Sequence, residues 1–479
     1  MEIDNMADRL LSDSFEISGE WFLPEAEERK IPGTLKFVGE RTELELFEPL
    51  SVRDEGIVAD TGSKNYPVIY GITLESEAIT ILKARSAGTA FRMNSGGIRQ
   101  PERIVSHWLL VGGFLTADFL YHELSFRIPG LHIWLSEKLV QESHDREGAN
   151  GPIVLTYKVG GGAVYKTSIP EQLDIEWFYQ RRSNTDLFTS VEVTISGWIK
   201  ICPNSPQKLT WYLEELSKIT TMLAFISGSS MSPDCIKGLI EEHHQAIYAL
   251  VSLANRKSCT YNSDLNFFML RDSMGVGLSD VVARWFEVYP RVQKPSELAL
   301  GVLSSEKLWL HVEFLSLMQA LEGFHRGLYE GLYMDESSYS PIKQILSDAI
   351  PKAVSPDHKE SLKSRIQYGN EISLRKRLDH LAASLPEQIR KIVLGHDGQV
   401  PRTWIDTRNY YTHWNEESRE NVLDFQGIYE ANVRIRHFIR MLYLNLMGIP
   451  EEAIVKSFDN HSDGSRHLSQ LNEKEQSSP

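Results

Sequence analysis

The spacing of hydrophobic and polar positions changes once along this chain, and the change divides it. Through the first two hundred residues, apolar side chains alternate with polar ones in short runs. "GTLKFVGERTELELF" carries two such runs on either side of a Gly-Glu-Arg turn, the pattern of a hairpin. "YPVIYGITLES", "AITILKARS", "LSFRIPGLHIWL", "GPIVLTYKV" and "SVEVTISGWIKI" repeat it between Gly, Asn, Pro and Asp turns. Together they predict a sandwich or barrel-like β domain over residues 1–205. The glycine run in "VGGGAVYK" lacks the spacing of a phosphate-binding loop and reads as a turn between strands.

At "NSPQKLTWYLEELSKITTMLAFISGSS" the period lengthens to that of a helix. Ser205 is the expected N-cap, Pro206 stands just inside the start, and the pattern runs to Gly228. Residues 206–294 form a mixed connecting region. Its segment "LSDVVARWFEVYPRV" predicts a short helix ending near Pro290.

From Pro295 to about 450 the pattern is all helical. Leu310, Phe314, Leu317, Leu321, Phe324 and Leu328 form one stripe, with Leu308, Val312, Leu315 and Met318 beside it, so this helix is expected inside a bundle. Further helices are predicted near "SPIKQILSDAI", "ISLRKRLDHLAASL" and "PEQIRKIVLG". The last, "FQGIYEANVRIRHFIRMLYLNLMGI", lines up Ile428, Asn432, Ile435, Ile439, Leu442 and Leu446, with Gly448 and Pro450 as stop signals. Residues 451–479 are polar at their end and predict a disordered tail. The fold class is therefore α+β: a β-rich N-terminal domain followed by an all-α bundle.

Composition narrows the function. The net charge of −15 disfavours loose nucleic-acid binding, which depends on Lys and Arg displacing counterions from phosphates. From Pro341 to Arg402, however, eleven Lys and Arg stand against seven Asp and Glu, a modest hint of an anionic ligand. Within that stretch Arg375, Lys376 and Arg377 are candidate contacts to an RNA backbone. The three cysteines, Cys202, Cys235 and Cys259, form no C-x-x-C pair, so neither a disulfide scaffold nor a cysteine zinc site is expected. The acidic start has no signal-peptide pattern, and no run of about eighteen apolar residues occurs. The expectation is a cytoplasmic protein with no membrane partner. No Asp/Glu/His cluster has convincing ligand spacing, so no metal or cofactor is predicted. Adjacent side chains on a helix diverge, so His243 and His244 read as solvent-exposed.

The candidate chemistry lies in "TWIDTRNYYTHWNEES". Asp406 or Thr407 is the expected cap of a short helix there, and Asn415 onward reads as a loop. Arg408 and His413 are five positions apart, about 140° around a helix after one full turn is subtracted, so they do not share a face. They could converge at a helix end or in a cleft shared with another chain. Histidine exchanges a proton near neutral pH, and the planar guanidinium matches a phosphate and stabilises charge growing on it. Asn409 could orient the arginine or the substrate. Such a set suits cleavage of an RNA phosphodiester without a metal, through attack by the RNA's own 2′-OH. By spacing alone, though, an Arg-x4-His pair occurs by chance in many long chains and reads first as a surface Arg and a half-buried His.

"DTRNYYTHW", followed by the final long helix, resembles the Arg-x4–6-His motif of the HEPN superfamily. "FLSLMQALEGFHR" looks like the opening of the HEPN domain of ApeA-type anti-phage proteins, and "SFEISGEWFLPEAEERKIPGTLKFVGERTELELFEPL" is similar to their N-terminal domain. The resemblance implies Arg408 and His413 as catalytic, Asn409 as auxiliary, and a homodimer or higher homo-oligomer whose two motifs face one cleft. It also implies an abortive-infection endoribonuclease acting on RNA, with tRNA a plausible substrate class. The N-terminal region would be a sensor of a phage-derived trigger, expected to be a protein. Glu322, His325 and Arg326, on the first long helix of the bundle, are positioned to approach the motif. Two other readings stand beside this one. One is a non-catalytic HEPN-like bundle used for RNA binding or oligomerisation. The other is a carbohydrate- or protein-binding β module with an incidental helical tail.

Overall fold

The computed structural model describes residues 10–473 apart from 51–63, 90–91, 95–96, 100, 137–139, 147–152, 160–163, 187–189, 241–244, 252–260, 262, 306, 415 and 461–466. His243, His244, Cys259 and the glycine run at 160–162 lie outside the described residues. The chain divides into two compact units. One comprises Met1–Leu223, Ser230–Asn266 and Leu270–Asp272; the other comprises Ala224–Ser229, Phe267–Met269 and Ser273–Pro479.

The first unit is β-rich. Among the described residues, thirteen strands join one antiparallel sheet, and six of them close on themselves. Ala78–Thr89 pairs with Asn65–Thr73, that strand with Phe15–Phe22, and the order continues through Ile31–Val38, Arg41–Leu46 and Glu102–Ser106 back to Ala78–Thr89. The result is a small barrel, which removes the sheet edges these strands would otherwise present. Alternate residues point inward, and Trp21, Leu35, Phe37, Leu44, Ile69, Ile81 and Ile104 fill it. The buried Glu102 accepts hydrogen bonds from the Tyr66 hydroxyl (2.9 Å) and the Leu50 amide (3.0 Å). The expected hairpin is present: Val38 pairs with Arg41 across Gly39 and Glu40, both at positive φ (57° and 65°), the two-residue turn that matches strand twist. "LSFRIPGLHIWL" is a strand only over Leu124–Arg127. Gly130, at φ 79°, then turns the chain into the short helix α1, Leu131–Trp134.

Helix α2 spans Leu209–Ser227, three residues later than Ser205 and Pro206 suggest. Gln207–Lys208 pairs with Leu120–Tyr121 instead, so the backbone before the helix is committed to a strand ladder.

The second unit is helical: α3 (Leu278–Leu303), α4 (Leu310–Leu328), α5 (Glu336–Asp348), α6 (Pro356–Gln367), α7 (Leu374–Ala383), α8 (Glu387–Leu394), α9 (Arg402–His413), α10 (Phe425–Leu446) and α11 (Glu451–Asn460). The expected stop near Pro290 does not occur. Helix α3 runs through both Pro290 and Pro295 because its long apolar face, including Trp285, Tyr289, Val292, Ala299 and Val302, is buried along its whole length. A proline lacks the N–H that would bond four residues back, so Pro295 frees the Arg291 carbonyl. Helix α4 uses that gap: a Cβ on Gly327 would sit 2.1 Å from that oxygen, and one on Gly323 would sit 3.3 Å from Pro295 Cβ. The Arg291 guanidinium then caps α4, donating to the carbonyls of Gly327 (3.2 Å) and Leu328 (2.6 Å).

The main stripe of α4 is buried as expected from Phe314 to Phe324, and of the second stripe Met318 is buried and Leu315 half-buried. Leu308 precedes the helix, and it and Val312 are exposed. Helix α10 buries Ile428, Asn432, Ile435, Ile439 and Leu442, as its spacing predicts, starts at the Asp424 cap and stops before Gly448 at φ 79°. Helix α6 has no counterpart in the apolar pattern, since none of its residues is buried; its signal is the Ser355 cap followed by Pro356. The tail also differs from expectation. Residues 451–460 and 467–473 are helical, and Ile454, Phe458 and Leu468 are buried. Asn472 accepts from Arg434 (3.0 Å) and donates to the Ile392 carbonyl (3.1 Å), which fixes the second of these helices to the bundle. Among the described residues no helix is long and apolar enough to cross a membrane.

Candidate active site

Helix α9 positions the candidate motif, and it does so as one continuous helix. It starts after Pro401, not at a cap on Asp406 or Thr407. Asp406 instead lies 3.7 Å from Arg402 across one turn, and Thr407 is buried, its hydroxyl accepting from the Leu423 amide (2.9 Å). Trp404 and Thr407 are the buried side chains of α9; they seat it and leave Arg408, the next residue, half-buried against α4.

There Arg408 borders a cleft of about 560 Å³ with Leu315, Gln319, Glu322, Gly323 and Arg326 of α4 and Thr412 of α9. Its guanidinium donates to Glu322 (3.4 Å) and to the Asn409 side-chain carbonyl (3.2 Å). The other Glu322 oxygen accepts from Arg326 (3.1 Å). One carboxylate thus joins two arginines at the cleft wall. Thr412, one turn beyond Arg408, shares its face and returns its hydroxyl to the Arg408 carbonyl (2.7 Å). His413 is the last residue of α9 and is exposed. The divergence expected from five-residue spacing is realised, because the helix does not end between the two residues.

Behind the cleft, ion pairs run inward. Glu371 pairs with Arg326 (2.7 Å) and with Arg377 (3.0 Å). Arg377 reaches His325 Nδ1 (3.3 Å), and His325 Nε2 lies 3.1 Å from His380 Nδ1. Arg377 is only 1% exposed, so it is a buttress of this network and not available to an RNA backbone. Arg375 pairs with Asp379 (2.9 Å), and Lys376 lies over the Tyr333 ring. His325 is fully buried and lies behind the cleft wall, unlike Glu322 and Arg326 on the same helix. Burial, then the nearby Arg377, His380 and Arg326, pushes its pKa down to about 4. Among the described residues no group of three or more His, Cys, Asp and Glu is placed to hold a metal ion.

The second unit is thus an all-α bundle with an Arg-x4-His helix beside a cleft. The model of the Apea-like HEPN domain matches residues 315–453, and that of ApeA N-terminal domain 1 matches residues 16–285. The chain belongs to the ApeA family, with a β-rich N-terminal region and a C-terminal HEPN domain. This pair of domains is that of anti-phage defence proteins, and HEPN domains are generally associated with ribonucleases, act on RNA and often dimerise. No curated protein and no solved structure matches the chain.

Proposed function

We propose that this protein is an anti-phage endoribonuclease whose HEPN domain cleaves RNA without a metal ion. The observation that carries the reading is the placement of the Arg408 guanidinium on a cleft wall, oriented by Asn409 and held by Glu322. An incoming phosphate replaces Glu322 as the partner of Arg408, a bidentate exchange that suits a planar fork. The substrate's 2′-oxygen then attacks phosphorus as its proton passes to a base. The P–O5′ bond breaks, and the departing oxygen takes a proton and leaves as a 5′-OH. His413 serves this proton traffic, and Arg408 stabilises the pentacoordinate phosphate. The products are a 2′,3′-cyclic phosphate and a 5′-OH. Because Arg408 and His413 lie about 140° apart on α9, the complete site draws on a second copy of the chain. RNA is the substrate, with tRNA the first class to test.

Cleavage by the activated protein is expected to persist in excess EDTA and to leave a 3′ end with no free 3′-OH until the cyclic phosphate is both opened and removed. A strict Mg²⁺ requirement, or 5′-phosphate products, would contradict attack by the 2′-OH.

The β-rich unit is proposed to receive the infection signal, a phage protein whose tighter binding to the active state shifts the HEPN domain toward cutting, at a typical coupling of about 1–3 kcal/mol. Phages selected to escape defence are expected to carry mutations in one gene whose product co-purifies with the full-length protein. Escape mutations scattered over genes whose products never bind it would argue against a protein trigger.

A further inference from the structure

The end of helix α9 carries aromatic rings that the fold leaves in solvent. Trp309, just ahead of α4, is 78% exposed, and Trp414, just after α9, is 69% exposed. Between them His311 stacks on Tyr411, with centroids 5.6 Å apart and planes 14° from parallel. Trp309 lies 6.4 Å from His311, and Trp414 lies 6.0 Å from Tyr411. The rings come from two segments about a hundred residues apart in sequence, so tertiary structure assembles the row.

Core packing does not account for this row, since its two largest members are mostly in water. The backbone at Trp414 is a second, independent sign. It caps α9 in the left-handed region, φ 53° and ψ 38°, where helix ends ordinarily place glycine and a bulky side chain is rare. The ring is held outward at that cost, immediately after the exposed His413 and on the helix that carries Arg408 to the cleft.

We propose that Trp309, His311, Tyr411 and Trp414 form a shelf on which unpaired nucleobases of a single-stranded RNA stack beside the phosphate handled by Arg408 and His413. The identity of the ligand rests on the ribonuclease reading. Every base offers a π-face, so aromatic stacking tolerates sequence, while cations on the same helix pair take the backbone. A base-paired helix hides those faces, so the shelf restricts the enzyme to loops, bulges and single strands. Arg408 and Arg326 share Glu322 at the adjacent cleft, and an RNA phosphate can compete for that contact where an apolar protein surface cannot.

The test uses the full-length protein and a single-stranded 2′-O-methyl oligonucleotide, whose blocked 2′-oxygen cannot attack, with binding read by fluorescence anisotropy. Trp309→Ala and Trp414→Gly are the variants; both side chains are exposed, and glycine suits the left-handed backbone at 414. Each is expected to weaken single-strand binding about tenfold, the lower part of the range for one stacked base, and to leave binding of the matching duplex unchanged. Equal affinity of wild type and both variants for the single strand overturns the shelf, even if unmodified RNA is still cut by the wild type. Tryptophan-dependent binding, with no cleavage of unmodified RNA by activated protein, keeps the shelf and removes the ribonuclease reading. Loss of a dimer in sedimentation, with RNA affinity unchanged, assigns the rings to a second copy of the chain and overturns the proposal.

Discussion

Replacing His413 by Ala is expected to lower RNA cleavage by the activated protein about 10²–10⁴-fold, the usual loss when a positioned acid or base is removed. Its stability should stay within about 0.5 kcal/mol of wild type, because His413 is an exposed residue at a helix end. Arg408→Ala should cost about 10²–10³-fold through lost charge stabilisation. The ion pair it breaks is long, 3.4 Å, between side chains 29% and 22% exposed, and Glu322 keeps Arg326, so the loss to the fold should be about 1 kcal/mol. Arg408→Lys should recover little, since a point charge does not reproduce the two-pronged contact with a phosphate. Glu322→Gln separates two roles for the carboxylate. If it only holds Arg408 and Arg326 until phosphate arrives, the variant should bind RNA more tightly and still cut. The measurements are cleavage of total RNA and circular dichroism on the same preparations. Undiminished cleavage by folded His413→Ala removes the proposed mechanism, and unfolding of both alanine variants moves the pair to a structural role.

The second large effect is on stability, and its source is the buried network behind the cleft. His325 has its pKa pushed down to about 4 by burial and by Arg377, His380 and Arg326, against about 6.5 in an unfolded chain. The unfolded state therefore binds a proton between these values that the folded state refuses. Stability from this group is fully present above about pH 6.5 and is lost as pH falls toward 4, by on the order of 2 kcal/mol. His325→Gln keeps an acceptor for Arg377 and a donor for His380 but cannot titrate, so its acid side should be flatter. Urea melts followed by helical ellipticity at pH 7 and pH 4.5 check this. Parallel losses in wild type and His325→Gln would place the acid sensitivity elsewhere. Arg377→Met should cost stability at neutral pH as well, by about 1–3 kcal/mol, because it leaves the buried His325 without its Arg377 donor while Glu371 keeps Arg326.

Much of the architecture follows from local pattern. The Gly39-Glu40 turn and its alternating flanks define a hairpin with no help from the rest of the molecule, because turn conformation and side-chain alternation are properties of a few adjacent residues. The apolar face of α10 is equally readable, because a period of 3.6 puts Ile428, Ile435, Ile439 and Leu442 on one side wherever that helix packs. The Arg408–Asn409–His413 motif stands out only against the family pattern that it resembles. Its divergence around the helix, by contrast, follows from residue spacing alone.

Other features depended on partners distant in sequence. Local chemistry ends a helix at Pro290, but burial along α3, and an α4 whose Gly327 fits against the freed Arg291 carbonyl, outweigh the missing hydrogen bonds. A cluster of three basic residues reads as one surface patch, yet Arg377 turns inward because Glu371 and His325 are there to receive it. The polar end of the chain reads as disordered, but Leu468 and Asn472 find places on the bundle that no local pattern records. The same holds for the cleft: Glu322 and Arg326 are one helical turn apart, but their meeting with Arg408, more than eighty residues later, exists only once α9 is seated by Trp404 and Thr407. Sequence by itself offered candidate residues for the chemistry and the buried faces of helices such as α10, since residue type and period are local properties. Tertiary structure decided which charges meet, because the energy of an ion pair depends on distance in space and on burial.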